Sequence, residues 1–267
     1  MRWVRFEQDG EICWGHLEEG TITVHSGAPW AACRHATPER LPLESVPLLA
    51  PCQAGKIICV GRNYAAHARE LGHAVPGAAP GEAPLLFMKP PSAILAPGAA
   101  IVLPPVSRQV EHEGELAVII GKRCRRLGAE EPVTPYVLGY TCLNDVTARD
   151  LQQTDQQWTR AKGFDTFCPL GPWIETAPQP GPRPWDGLQV ETRVNGELRQ
   201  SGNTRDFIFS LERVLQEITA VMTLEPGDVI ATGTPAGVGK LGPGDRVEVT
   251  IQGIGTLANT VTAADTP

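Results

Sequence analysis

Three glutamates at alternate positions, Glu111, Glu113 and Glu115 in VEHEGELAVIIGK, pose a charge problem that few kinds of chemistry solve. If 110–122 is one strand, alternate side chains share a face and stand about 6.6 Å apart. Neighbouring carboxylates then repel by about 0.6 kcal/mol in water and about 2.5 kcal/mol at an effective dielectric near 20. Leu116, Val118, Ile119 and Ile120 imply that the strand soon runs into a core, where the larger figure applies. Two arrangements resolve the conflict: a solvated strand end, or a divalent cation. Asp145, in LNDVTARD, offers a further carboxylate at a strand end, where side chains often converge on a site. Glu113, Glu115 and Asp145 together would make an all-oxygen site that suits Mg²⁺, Mn²⁺ or Ca²⁺ rather than zinc. Three carboxylates leave one net negative charge against a dication. A nearby cation is therefore expected, with Arg149 and Lys162 as candidates against a plain role in surface solubility.

His67 and Glu70, three residues apart in NYAAHAREL, fall on neighbouring positions of a helix. The carboxylate can hold one ring nitrogen while the other faces a reactant, although an exposed helix pair has the same spacing. The setting favours the first reading: the pair follows an apolar strand and precedes GHAVPGAAPGEAP, so 62–83 reads as a lid carrying a base. All six histidines lie in the first 112 residues, which confines any histidine base to that part of the chain.

The elements that must position these groups are short and punctuated by Gly and Pro. Segments 2–6, 11–17 and 20–25 read as strands of a small N-terminal β unit, 1–50, joined by LPLESVPLLAPCQAG to a larger domain, 51–267. KIICV, LLFMK, AAIVLP, VEHEGELAVIIGK and YVLGYTCLNDV follow as strands, with a short helix at RNYAAHAREL. TARD fits a Thr-x-x-Asp capping box, which predicts a helix over TARDLQQTDQQW starting just after Asp145. Asn195-Gly196 suits a two-residue type I′ turn between alternating segments, and DFIFSLERVLQEITAVMTL predicts the longest helix, with Phe207, Leu211, Val214, Leu215 and Ile218 at core spacing. The class is α+β and β-rich.

Several function classes lose support. A net charge of -7 and a pI near 5.4 oppose an extended phosphate backbone, so nucleic acid is not expected as a partner. No apolar run reaches the roughly 18 residues that span a bilayer, and the N-terminus lacks the apolar stretch of a signal peptide, which points to the cytoplasm and away from membranes. The seven cysteines are scattered without a C-x-x-C pair and read as reduced thiols. GVGKLG matches G-x-G-x-x-G, but Pro243, Gly244 and Asp245 follow where a dinucleotide site needs a helix. No G-x-S-x-G or H-E-x-x-H is present.

VGRNYAAHARELG, LFMKPPSAI, VEHEGELAVIIGK, GYTCLNDVTARDLQ, QQWTRAKGFDTFCPLGPW and TGTPAGVG occur in this order. Over roughly 56–261 the chain resembles the fumarylacetoacetate hydrolase family. The resemblance implies a mixed β-roll catalytic domain, a homodimer, and a divalent metal, Mg²⁺ with Mn²⁺ or Ca²⁺ as alternatives, held by Glu113, Glu115 and Asp145. It implies His67 with Glu70 as a lid dyad, Lys162 as an active-site lysine, Arg149 and Gln152 as contacts to substrate or metal-bound water, and Thr234 near the substrate carboxylate. Glu111-His112 stands where many relatives have Asp-Tyr, and Gly163 where Ser is frequent; Glu111 is expected near the rim, supporting the site or solvated. The implied activity is metal-dependent C–C cleavage, by hydrolysis or decarboxylation, of a small acylpyruvate or 2-oxo dicarboxylic acid through a metal-stabilised enolate. The alternatives are a 2-hydroxyhepta-2,4-diene-1,7-dioate isomerase and a metal-binding scaffold without turnover.

Overall fold

The computed structural model describes residues 1–77, 81–178, 181 and 183–264. Short strands bounded by Gly and Pro assemble into three sheets among the described residues. The largest runs in the order Ala36–Pro42, Thr21–His25, Glu11–Glu18, Arg2–Gln8, Cys168–Glu175, Val137–Asn144, Gly114–Ile120, Val229–Ala231, Ile57–Gly61, Leu85–Lys89. Along this order neighbours are antiparallel except Val229–Ala231 against Ile57–Gly61, and Ile94–Leu95 adds a second parallel pairing on Cys168–Glu175, so the sheet is mixed. A second sheet joins Glu197–Asn203, Gln189–Val194, Arg246–Ile251, Gly255–Ala263 and Ala100–Leu103. A third, small one joins Thr147–Ala148, Val110–His112 and Gly239–Lys240. The fold is the expected β-rich mixed roll with a small N-terminal β unit.

Strand parity decides where the cores form. Leu116, Val118 and Ile120 turn to one side, against Val190, Val249 and Leu257 of the second sheet and against helix Leu211–Val221 through Leu211, Val214, Leu215 and Ile218. Ala117 and Ile119 turn to the other, with Ile57, Cys59, Leu143, Leu170 and Ile174. The N-terminal strands bury their own cluster around Val4, Phe6, Leu17, Ile22 and Val24, and Arg2–Gln8 extends the main sheet by pairing with Cys168–Glu175. Asn195 and Gly196 take φ of 53° and 81°, the left-handed pair that the predicted hairpin turn requires.

Three sequence expectations are corrected. VEHEGELAVIIGK is two strands in different sheets, Val110–His112 and Gly114–Ile120, with the chain switching sheets at Glu113. The Thr147/Asp150 capping box does not form. Thr147 Oγ1 donates to Asp145 O, while Asp150 accepts from Ser107 Oγ and Arg108 N, and the predicted helix is reduced to Arg149–Thr154, with a separate turn of helix, Thr159–Lys162, following it. The longest helix starts at Leu211 because Ser210 caps it by accepting from Arg213 N, which leaves Phe207 outside, packed on Tyr64 at 5.3 Å between ring centroids.

Candidate active site

Antiparallel pairing puts Gly114 opposite Asn144 and Glu115 opposite Leu143, so the chain just before one strand meets the chain just after the other. Asp145 N donates to Glu113 O at 2.8 Å, and Glu113 N donates to Asn144 Oδ1 at 2.9 Å. This clasp brings Glu113, Glu115 and Asp145 together, buried, with one oxygen of each within 4.8 Å of the others.

Three cations answer the acids. Lys162 Nζ bridges Glu113 Oε2 at 2.8 Å and Asp145 Oδ2 at 2.6 Å, and Lys89 Nζ donates to Asp145 Oδ1 at 2.6 Å and Val146 O at 3.1 Å. Arg149 is engaged through all three of its nitrogens: Nε donates to Glu111 Oε2 at 2.8 Å, while its terminal nitrogens reach Glu113 and Gln152. Glu111 is accordingly buried, 6% exposed, and its expected solvation is not found; it supports the site by holding Arg149 against Glu113. Both carboxylate-binding lysines and Arg149 are buried, so none of them serves solubility.

The two glutamates of the triad are driven in opposite directions. Burial alone would raise the Glu113 carboxyl, but Lys162 and Arg149 outweigh it and hold the group below the usual carboxylate range. Burial, and then the charges of Asp145 and Glu113, push Glu115 well above that range, with Lys162 and a 2.7 Å bond from Gly233 N offsetting only part of it. Burial would lower Lys162, yet Asp145 and Glu113 raise it. Four carboxylates, Glu111 included, thus face three cations, and Glu115 is the one without an ion pair among the described residues. Each carboxylate oxygen that accepts one hydrogen bond keeps a second lone pair. Hard oxygen donors with a local charge deficit fit a divalent ion of the Mg²⁺, Mn²⁺ or Ca²⁺ type, which Glu113, Glu115 and Asp145 can hold.

His67 sits on the six-residue helix Ala65–Glu70 and is 5% exposed. Asn63 anchors the start of this helix: Nδ2 donates to Thr232 O at 2.8 Å and Oδ1 accepts from Phe209 N at 2.8 Å. His67 Nδ1 lies 3.4 Å from Glu70 Oε2, and the Glu70 oxygens accept from Gly237 N at 3.0 and 3.1 Å. The loop that supplies this N–H is part of TGTPAGVG. Gly237 has φ of 102°, and a Cβ there would lie 2.0 Å from Arg199 O, so only glycine fits. The glycine-rich run therefore holds carboxylates rather than a dinucleotide. Of the segment 62–83, expected from the sequence to act as a lid, residues 78–80 lie outside the described residues.

One recess is lined by the triad together with His67, Arg149, Gln152, Lys162 and Thr234, so every residue given a catalytic, substrate-binding or metal role from the sequence lines it except Glu70, which is paired with His67. Thr234 Oγ1 donates to Gly114 O at 2.9 Å and accepts from Gln200 Nε2 at 2.7 Å. Lys89 and Gln200 escaped the sequence reading. Lys89 closes a strand before Pro-Pro like any surface lysine, and Gln200 is one polar residue in a hairpin; only tertiary pairing reveals them. Gln200 Oε1 accepts from Gly114 N at 2.9 Å and pairs with His112 Nδ1 at 3.1 Å, which fixes that ring beneath the site.

No described helix is long and apolar enough to cross a membrane. Residues 1–51 match the family "Rv2993c-like, N-terminal". Oxaloacetate tautomerase YisK of Bacillus subtilis is 44% identical over 83% of this chain and 76% of its own length. A solved 5-carboxymethyl-2-hydroxymuconate delta-isomerase from Mycobacterium smegmatis superposes with a TM-score of 0.88 at 42% identity, covering 99% of this chain and all of that one. A maleylpyruvate hydrolase from Sphingobium sp. SYK-6, solved with a manganese(II) ion and pyruvate, gives 0.79 at 33% identity over 99% of this chain and all of its own. Residues 56–262 match the fumarylacetoacetate (FAA) hydrolase C-terminal family, and with these relatives they establish that the chain belongs to the fumarylacetoacetate hydrolase family.

Proposed function

We propose that the protein is a divalent-metal-dependent enzyme of small 2-oxo acids that interconverts keto and enol forms by proton transfer, with C–C cleavage as the second reading. One observation carries the proposal: a buried three-carboxylate cluster and a histidine backed by a carboxylate open into one recess. A bound divalent cation supplies a Lewis acid beside the 2-oxo group and eases loss of a neighbouring proton or carbon substituent. The protein's own groups do the rest. With Nδ1–H turned to Glu70, His67 offers the lone pair of Nε2 to the recess. It takes a proton from the carbon next to the keto group and returns it to oxygen, or to a different carbon in an isomerisation. Lys162, charged and buried, offsets the negative charge of the enolate.

In the cleavage reading His67 takes its proton from water, whose oxygen attacks the distal carbonyl of an acylpyruvate; the C–C bond breaks and pyruvate leaves as its enolate. The tautomerase and isomerase relatives, both above 40% identity, support proton transfer first, while the hydrolase that binds manganese and pyruvate supports cleavage. The test is a panel of acylpyruvates, oxaloacetate and heptadienedioate-type acids with Mg²⁺ or Mn²⁺, following enol or diene absorbance, pyruvate and CO₂ in parallel. H67A is expected to lose about 10² to 10⁴ in rate. Equal inactivity of wild type and H67A across the panel would leave the scaffold without turnover as the answer.

A further inference from the structure

The cations of the recess divide into those already spent and one that is not. Lys162 and Arg149 are paired with Glu113, Asp145 and Glu111. Arg62 lines the same recess, and among the described residues it forms no ion pair, while its Nε is buried without a hydrogen-bond partner. A buried guanidinium nitrogen left unpaired is costly, and the natural remedy for this fork of donors is a carboxylate. Arg62 also holds a left-handed backbone, φ 59°, where an arginine is uncommon and where strained residues cluster at ligand sites.

Its position relative to the triad follows from an aromatic wall. The Arg62 guanidinium stands 5.9 Å from the Trp158 ring centroid, Trp158 meets Phe87 edge-on at 5.1 Å, and Lys162 Nζ lies 5.0 Å from the Phe87 ring. The recess that contains the triad continues, through Arg62, Leu71, Arg149, Gln152 and Trp158, into an adjoining one that no longer includes the triad. An acid held by its 2-oxo carboxylate end at the triad would extend along this wall toward the free guanidinium.

We infer that Arg62 binds the distal carboxylate of a 2-oxo dicarboxylate and so selects dicarboxylic over monocarboxylic 2-oxo acids. The assignment rests on the 2-oxo acid reading above. It is tested by competition calorimetry and steady-state kinetics of the metal-loaded protein with oxaloacetate, and with pyruvate as the same 2-oxo acid without the far carboxylate. Arg62→Asn is the decisive variant, because asparagine tolerates the left-handed backbone and preserves the fold. Oxaloacetate is expected to bind about tenfold or more weaker, seen in KM rather than kcat, with pyruvate binding unchanged and Arg62→Lys intermediate. Equal losses for both acids, or none for either, would overturn the assignment while leaving the 2-oxo acid reading intact. Absence of binding of both acids to the wild-type protein would overturn that reading and this one together.

Discussion

Glu113 carries more of the site than its two neighbours, because it is both a triad carboxylate and the shared counter-charge of Arg149 and Lys162. Glu113→Ala is expected to abolish saturable Mg²⁺ or Mn²⁺ binding in calorimetry. It should also lower stability by about 3 kcal/mol in denaturant titration, since two buried cations lose a partner. Retained metal affinity would remove Glu113 from the ligand set. His112, beneath the triad, gives a pH signature: burial pulls it below the ordinary histidine value despite its bond to Gln200. The unfolded chain therefore takes up a proton first. Stability is present above the unfolded value, near 6.5, and is lost as pH falls below it, a slope that His112→Gln should flatten. At this scale the acids were legible because their kind and spacing alone create the charge conflict. Lys89 was not, since nothing local separates a lysine that ends buried against Asp145 from one that points into water.

Elements place these residues, and the loop 232–237 does so most economically. Gly233 N binds Glu115 and Gly237 N binds Glu70, so one loop positions a triad carboxylate and the support of the histidine. Gly237→Ala meets both a φ of 102° and the Arg199 carbonyl. It is expected to cost about 1–3 kcal/mol of stability and to lower kcat, while metal affinity measured by calorimetry stays near wild type because Glu115 keeps its own N–H. An unchanged kcat would show that Glu70 needs no tether. Sequence patterns located the hairpin at Asn195-Gly196, where the turn residues dictate their own φ, but they overextended helices. Thr147 and Asp150 have the spacing of a cap, yet their oxygens found partners at Asp145, Ser107 and Arg108, and no local pattern records such competition.

At the scale of the whole molecule, the N-terminal unit has its own apolar cluster but shares a sheet with the part that bears the site. Trp3 packs with Cys52, Ala117 and Ile174 in the core on the triad's side of strand Gly114–Ile120. Deleting residues 1–50 would bare the edge of Cys168–Glu175 and uncover that core, so the truncated chain is expected to aggregate, eluting early in size-exclusion chromatography. A monodisperse, active truncation would show instead that the sheet closes without it. The fold as a class was legible from strand-length segments and family motifs; which sheet each strand joins was not, because Glu113 marks a crossing between sheets that no alternation pattern announces. The parity of Gly114–Ile120 has one more consequence, for inheritance. Odd positions carry charge and then hydrocarbon on one side, even positions hydrocarbon on the other, so losing or gaining one residue here would sink Glu115 into the oil and lift Leu116 into the recess. The length of this strand is therefore as constrained as its chemistry, because one inserted or deleted residue exchanges its two buried faces.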